Sequence, residues 1–396
     1  MNLRPQHTSL LVGLACLAMP LLSNAQTKPP IATYWMSAET SSGMNMTGGA
    51  PSMTDMASLM LGGGMNSTSK HLLLQLGSQQ SSSDEPSADH TIPSSMNMGS
   101  SLPLRTPRKA PVVKEKHQED VPDNYEKPKG RLLLFWGCGA QAGAGQPVII
   151  DFAKVASGQS WPSGIFSRRV STQMGPAYGR SKTYGDWPNE KDSTRVPNES
   201  SLRGEHVIKG NYSPDIRFNL DTTDYLAPLD ISMSKQASGA LNVSWKSINN
   251  ATGYFANVMG SNQAGSDMVW WVSANGKEFG EALFNYIAPS EVAKLIKDKV
   301  VLPPSTTECA VPKEVMAAAP NAMLRMIAYG DEANFANPPR PKDPKAAWNP
   351  EWVAKVRVKA TAMQPIMEGE SGGRGGRSSS DSTPSVGGAI KSLFGF

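Results

Sequence analysis

Between positions 352 and 359 the chain alternates without a fault: Trp352, Ala354, Val356 and Val358 fall on one parity, and Lys355, Arg357 and Lys359 on the other. That period of two belongs to a pleated strand, whose successive side chains leave opposite faces. Leu241-Asn-Val-Ser-Trp245 repeats it as apolar, polar, apolar, polar, apolar. Further strand-like runs occupy residues 71–76, 132–136, 147–155, 215–220, 254–258, 267–274 and 322–329, bounded by the Gly, Pro, Asn and Ser that punctuate strands. The run at 132–136 (LLLFW) is apolar throughout, which requires cover on both faces. One helix is predicted at 289–299, where Ser290 and Glu291 open a run that puts Val292, Leu295 and Ile296 on one face. The fold class expected is all-β. Composition agrees, because 36 Gly and 31 Pro against only 18% charged residues suit strands joined by long loops.

Residues 1–25 read as a cleavable secretory signal. Arg4 charges a short polar start, residues 9–22 are apolar and uncharged, and Ser23-Asn24-Ala25 places small residues at −3 and −1 before Gln26. The apolar run counts 14 residues, short of the roughly 20 that a spanning helix needs, and Pro20 interrupts it. Cys16 lies inside this run, and Gly13 stands where a lipoprotein signal has an apolar residue, which disfavours lipidation. The protein is therefore expected in the periplasm, at the cell surface or secreted, with no transmembrane segment in the mature chain. A net charge of +4 from scattered basic residues lacks the clustered stripe of a nucleic-acid binder.

Organisation follows composition. Residues 26–70 are rich in Met, Gly and Ser. Residues 71–224 are expected to form an irregular β domain with polar linkers. Within it, 77–129 has too little apolar surface to offset the entropy of ordering it, and 156–211 reads as mainly loop. Residues 225–362 form a second domain, and 363–396 (including GESGGRGGRSSSDSTPSVGG) a flexible tail.

The stretch LNVSWKSINNATGYFANV resembles the B–C strand pair of fibronectin type III domains, with Trp245 at the core position of strand B and Tyr254 at that of strand C. Residues 228–232 look like strand A, and the runs at 267–274, 322–329 and 352–359 would supply C′, F and G. The resemblance covers about residues 225–362 and departs from the family in a long insertion at 281–320, which carries the predicted helix and Cys309. It implies a β-sandwich that binds or spaces and supplies no catalytic residues.

Four constellations bear on chemistry. Met44, Met46, Met53, Met56, Met96 and Met98 form Met-x-Met and Met-x-x-Met pairs of the soft thioether kind that suits Cu(I), whereas unbranched Met also fills gaps in a Gly-rich segment. Cys138 and Cys309 either bridge the two halves or stay as buried thiols, since spacing cannot report their separation. A Cys138/His206 dyad is outweighed by a structural cysteine, and the Gly-rich GCGAQAGAG loop is followed by a β-like run where a phosphate cradle needs a helix. Trp270 and Trp271 are neighbours on one strand. The more apolar parity of Met268, Trp270 and Val272 assigns Trp270 to the core with Trp245 and Tyr254. Trp271, Phe255 and Met259 are left as an outward apolar patch for a partner or for the first half of the chain. The function expected is that of an exported, non-catalytic binding or structural protein, partnered by a protein or envelope component and needing no cofactor. Periplasmic copper binding through the Met-rich segment is the rival.

Overall fold

The computed structural model describes residues 28–43, 68–107, 130–160, 170–343 and 346–366. Met44, Met46, Met53, Met56, the segment 1–27 and everything after Ile366 lie outside them. The described chain is mostly strand. In order these are β1 (Ala32–Gly43), β2 (Thr68–Ser78), β3 (Ala88–Thr91), β4 (Ser101–Leu104), β5 (Arg131–Trp136), β6 (Val148–Asp151), β7 (Thr183–Trp187) and β8 (Gly204–Gly210). They continue as β9 (Ser213–Leu220), β10 (Ile231–Lys235), β11 (Leu241–Trp245), β12 (Gly253–Ser261), β13 (Asp267–Val272), β14 (Glu308–Val311), β15 (Asn321–Asn337) and β16 (Trp352–Ile366). Among the described residues there are also three short α-helices, α1 (Phe152–Ala156), α2 (Pro289–Lys297) and α3 (Lys313–Ala318), and two single 3-10 turns at Ser94–Met96 and Glu281–Phe284. None is long and apolar enough to cross a membrane.

A mixed nine-stranded sheet, ordered β6-β5-β13-β12-β15-β16-β1-β2-β7, forms the spine. It draws β1, β2, β5, β6 and β7 from before the expected boundary at 224/225 and β12, β13, β15 and β16 from after it. Near its centre β1 and β16 run parallel over the full length of β1, from Ala32 opposite Trp352 to Gly43 opposite Met363. β15 and β16 extend well past the runs read from sequence. Their pairing shifts register between Tyr329 and Glu332, and Gly330 permits it, because a Cβ there would lie 2.5 Å from Val358.

Two small sheets cover one face of the spine. The sheet β10-β11-β14 lies over its β12 end, with Trp245 edge-on to Tyr254 at 5.4 Å. The sheet β4-β3-β8-β9 lies over β1 and the far end of β15, where Phe218 meets Tyr34 at 6.2 Å and stacks on Phe335 at 4.8 Å. A continuous apolar core runs beneath both. On the reverse face, Phe255, Ile327 and Tyr329 pack under Phe279, Leu283, Phe284 and the Val292 and Leu295 stripe of α2. Burying a large side chain of this kind stabilises by about 1.5–3 kcal/mol, so both faces of the spine contribute.

Two expectations need correction. The run 147–155 is strand only to Asp151, whose carboxylate accepts hydrogen bonds from the Ala153 and Lys154 amides and caps α1, as short acidic side chains do at helix starts. The polar stretch 77–129 is not all linker: its described part carries β3 and β4 and buries Ala88, Met96, Leu102 and Leu104 against the core, whereas the described part of 156–211 is mainly loop around β7 and β8.

Candidate functional site

Cys138 and Cys309 form a disulfide with their Cα atoms 5.1 Å apart. It fixes the Gly-rich loop after β5 to β14, and so joins the spine to a small sheet. Hydrogen bonds reinforce the join: Gly139 N donates to Ala310 O at 2.9 Å, Lys313 N to Ala140 O at 3.2 Å, and Ala142 N to the Glu314 side-chain Oε2 at 2.8 Å. The GCGAQAGAG segment is thus a docking loop.

The apolar patch expected at Trp271, Phe255 and Met259 is not a shared outward surface. Trp271 is wholly buried in the core with Tyr254 and Val258, and its indole N–H donates to Gly137 O at 2.9 Å. Trp270 takes the reverse face, edge-on to Phe279 at 5.3 Å. Phe255 is buried on that same face, and Met259 is half-buried. The parity was misassigned because the insertion covers the reverse face, so its apolar content no longer marks it as outside. Of the described methionines in the copper set, Met96 is fully buried in the core and Met98 packs against it. Both therefore serve packing.

Beneath the four-stranded sheet, three polar side chains form a chain whose proton positions follow from its end. His206 Nε2 lies 2.7 Å from Leu202 O, a group that only accepts, so Nε2 carries the proton and Nδ1 accepts. His90 Nε2, 2.9 Å from His206 Nδ1, is then the donor, and His90 Nδ1 accepts from the Tyr34 hydroxyl at 3.0 Å. Both imidazoles are neutral. Burial lowers the affinity of both for a proton, and at His90 the neighbouring His206 lowers it further.

The reverse face of β1 and β16 carries the cations Lys355, Arg357 and Lys359, two of them paired with carboxylates. Lys359 Nζ lies 3.3 Å from Glu39 and donates to Phe284 O at 3.0 Å. Lys355 meets Glu332 at 2.6 Å. The Arg357 guanidinium is held between Trp35 and Tyr286, 4.5 and 4.4 Å from the ring centres, and donates to Ser37 Oγ at 2.7 Å.

The feature best placed to receive a ligand is an open cleft of about 300 Å³ between the segment after β9 and the turn joining β11 to β12. Its first wall is fixed by Asp224. One carboxylate oxygen accepts from the Leu202 and Tyr225 amides at 2.8 Å each, and the other from Ser201 Oγ at 2.6 Å. Tyr225 lies under Lys70 Nζ, 4.8 Å from its ring centre. Burial and the nearby Asp224 charge push the Tyr225 hydroxyl's pKa up. Leu226 O accepts from Thr40 Oγ1 of β1 at 2.7 Å, tying the floor to the spine. The second wall is a rigid turn: Ile248 N donates to the buried Tyr254 hydroxyl at 3.0 Å, Ala251 N to Ile248 O at 3.2 Å, and Asn250 is left-handed with φ of 65°. Asn tolerates that conformation better than most residues. The turn presents Ser247, Asn249 and Asn250 to the cleft, opposite Arg203 and Thr222.

No group of three metal-ligating His, Cys, Asp or Glu side chains occurs among the described residues. No protein-family model and no curated protein matches the chain.

Proposed function

We propose that this is an exported, non-catalytic binding or structural protein of the cell envelope or extracellular space, built around a fibronectin type III-like sandwich at about residues 225–362. The Cys138–Cys309 disulfide carries the export half of the reading, because such bonds persist in oxidising compartments and are rare in the cytosol. Strand order supports the sandwich. The sheet β10-β11-β14 matches strands A, B and E, and β13-β12-β15-β16 within the spine matches C′, C, F and G, with Trp245 and Tyr254 in contact on B and C. Here the sheet ending at strand G is continued by β1, β2 and β7, and beyond C′ it is continued by β5 and β6. The cleft then lies at the B–C loop, one of the loops that sandwich domains use for recognition.

Fractionation of cells expressing the chain, with N-terminal sequencing and non-reducing peptide mapping, tests this. A mature protein beginning at Gln26, outside the cytoplasm, with one peptide joining Cys138 to Cys309, is expected. A cytoplasmic chain with Met1 intact and two free thiols would refute it.

A further inference from the structure

We infer that the cleft between Asp224 and the β11–β12 turn is a binding site for a neutral saccharide unit. The inference rests on reading the protein as an exported binding protein and names what that protein binds.

The chemistry of the walls narrows the ligand. Thr222, Ser247, Asn249 and Asn250 line the cleft and make no side-chain hydrogen bond to any described residue. Hydroxyl and amide side chains each both donate and accept, which is also true of every hydroxyl on a sugar. Arg203 is the cation lining the cleft, and its Nε lies 3.6 Å from the Asp224 carboxylate. Lys70, over the Tyr225 ring, is a second cation nearby and is faced by Asp224 and Glu199, so two cations meet two carboxylates, a balance that disfavours a phosphate or a polyanion. Asp224 already accepts from Leu202, Tyr225 and Ser201, so it is a poor ligand for a metal ion. The apolar lining is small, limited to Leu226, Ala227 and Tyr225, with Leu226 buried and Lys70 over the Tyr225 ring, too little for an acyl chain. A volume near 300 Å³ falls at the lower end of ligand pockets.

The walls are also preorganised. The segment 224–226 is tied to β1 through Thr40 and to the loop before β8 through Ser201 and Leu202, and the opposite turn is locked on Tyr254. A ligand entering this cleft orders little of the protein, and little affinity is lost to that ordering. By contrast, the charges around Arg357 and Lys359 are already occupied by Ser37, Glu39 and two aromatic rings.

The test is calorimetric titration of the full mature chain with cellohexaose, chitohexaose, maltohexaose and mannohexaose, and with oligogalacturonate as the charged control. Saturable binding of at least one neutral oligosaccharide is expected. It should weaken about tenfold in the Asn249→Ala and Arg203→Ala double variant, since each lost hydrogen bond is worth roughly two- to tenfold. Both positions are exposed, so an unchanged melting temperature establishes that the variant is folded. Binding that survives the double substitution would overturn the assignment of the cleft. Binding confined to oligogalacturonate and abolished by salt would overturn the neutral class, and no saturable binding of any probe would overturn the inference as a whole. None of these results bears on export or on the disulfide, which the fractionation experiment decides separately.

Discussion

Lowering the pH should destabilise this protein before its carboxylates begin to titrate, and the reason lies in the chain Tyr34–His90–His206. Each imidazole uses one nitrogen as donor and one as acceptor. Protonating His206 would set its Nδ1–H against the His90 Nε2–H, and protonating both would bury two positive charges together. Folding thus depresses both pKa values, whereas in the unfolded chain each imidazole titrates near 6.5. The unfolded state takes up protons that the folded state refuses, so stability is fully present above about pH 6.5 and is lost as pH falls below it. Two such groups give a slope of at most about 2.7 kcal/mol per pH unit, so the loss at pH 5.5 relative to pH 8 has a ceiling of about 3 kcal/mol. His71, whose proton affinity burial also lowers, adds to the fall with the same sign. Urea denaturation between pH 8 and 5.5 measures the total. The variant His206→Gln keeps a donor for Leu202 O and an acceptor for His90 while removing one titrating group, and should reduce the pH 5.5 loss by up to about 1.4 kcal/mol. A stability that is flat from pH 8 to 5.5, or a loss that His206→Gln leaves unchanged, would refute the assignment of protons along the chain.

Two further perturbations probe the packing. Reducing the disulfide or replacing Cys309 with Ser opens a loop of 171 residues' separation; the chain-entropy relation gives about 5 kcal/mol, readable as a lower urea midpoint for the reduced protein. Trp271→Ala should cost about 3–5 kcal/mol as a buried aromatic deletion and leave Gly137 O without its donor, whereas half-buried Trp270→Ala should cost less; equal losses in the two denaturation curves would contradict the observed parity.

What the sequence reveals is what local period encodes. β11 and β16 alternate so regularly that their type and one face follow from the residues alone, and the Trp245–Tyr254 contact follows from the resemblance they carry. β1 is hidden because Ser37, Glu39, Ser41 and Ser42, which look solvated in sequence, are buried on a strand covered on both faces. The Trp270/Trp271 parity fails for a related reason: apolarity sorts the faces of a strand only when one of them meets water, and here Phe279 and the insertion that follows it cover the other. The histidine chain has no local signal at all. His90 and His206 stand 116 residues apart, on strands whose pairing is a long-range event. The cleft is equally silent, since its polar residues are those of ordinary turns and acquire meaning only when the 222–227 and 247–250 segments face each other.

The parallel pairing of β1 with β16 has a consequence for how the chain comes to be folded. Partners in that ladder are separated by 320 positions, as from Ala32 to Trp352, and loop closure on that scale must precede any return from the contacts it makes. A chain that emerges N-terminus first, from a ribosome or from a translocation pore, presents β1 long before its central neighbour exists. β2 can occupy one edge early, but the other edge must stay unpaired until nearly all of the described chain has emerged. An open edge of this kind is a template for the wrong strand. The protein should therefore fold late and slowly, with its spine closing last at its own middle.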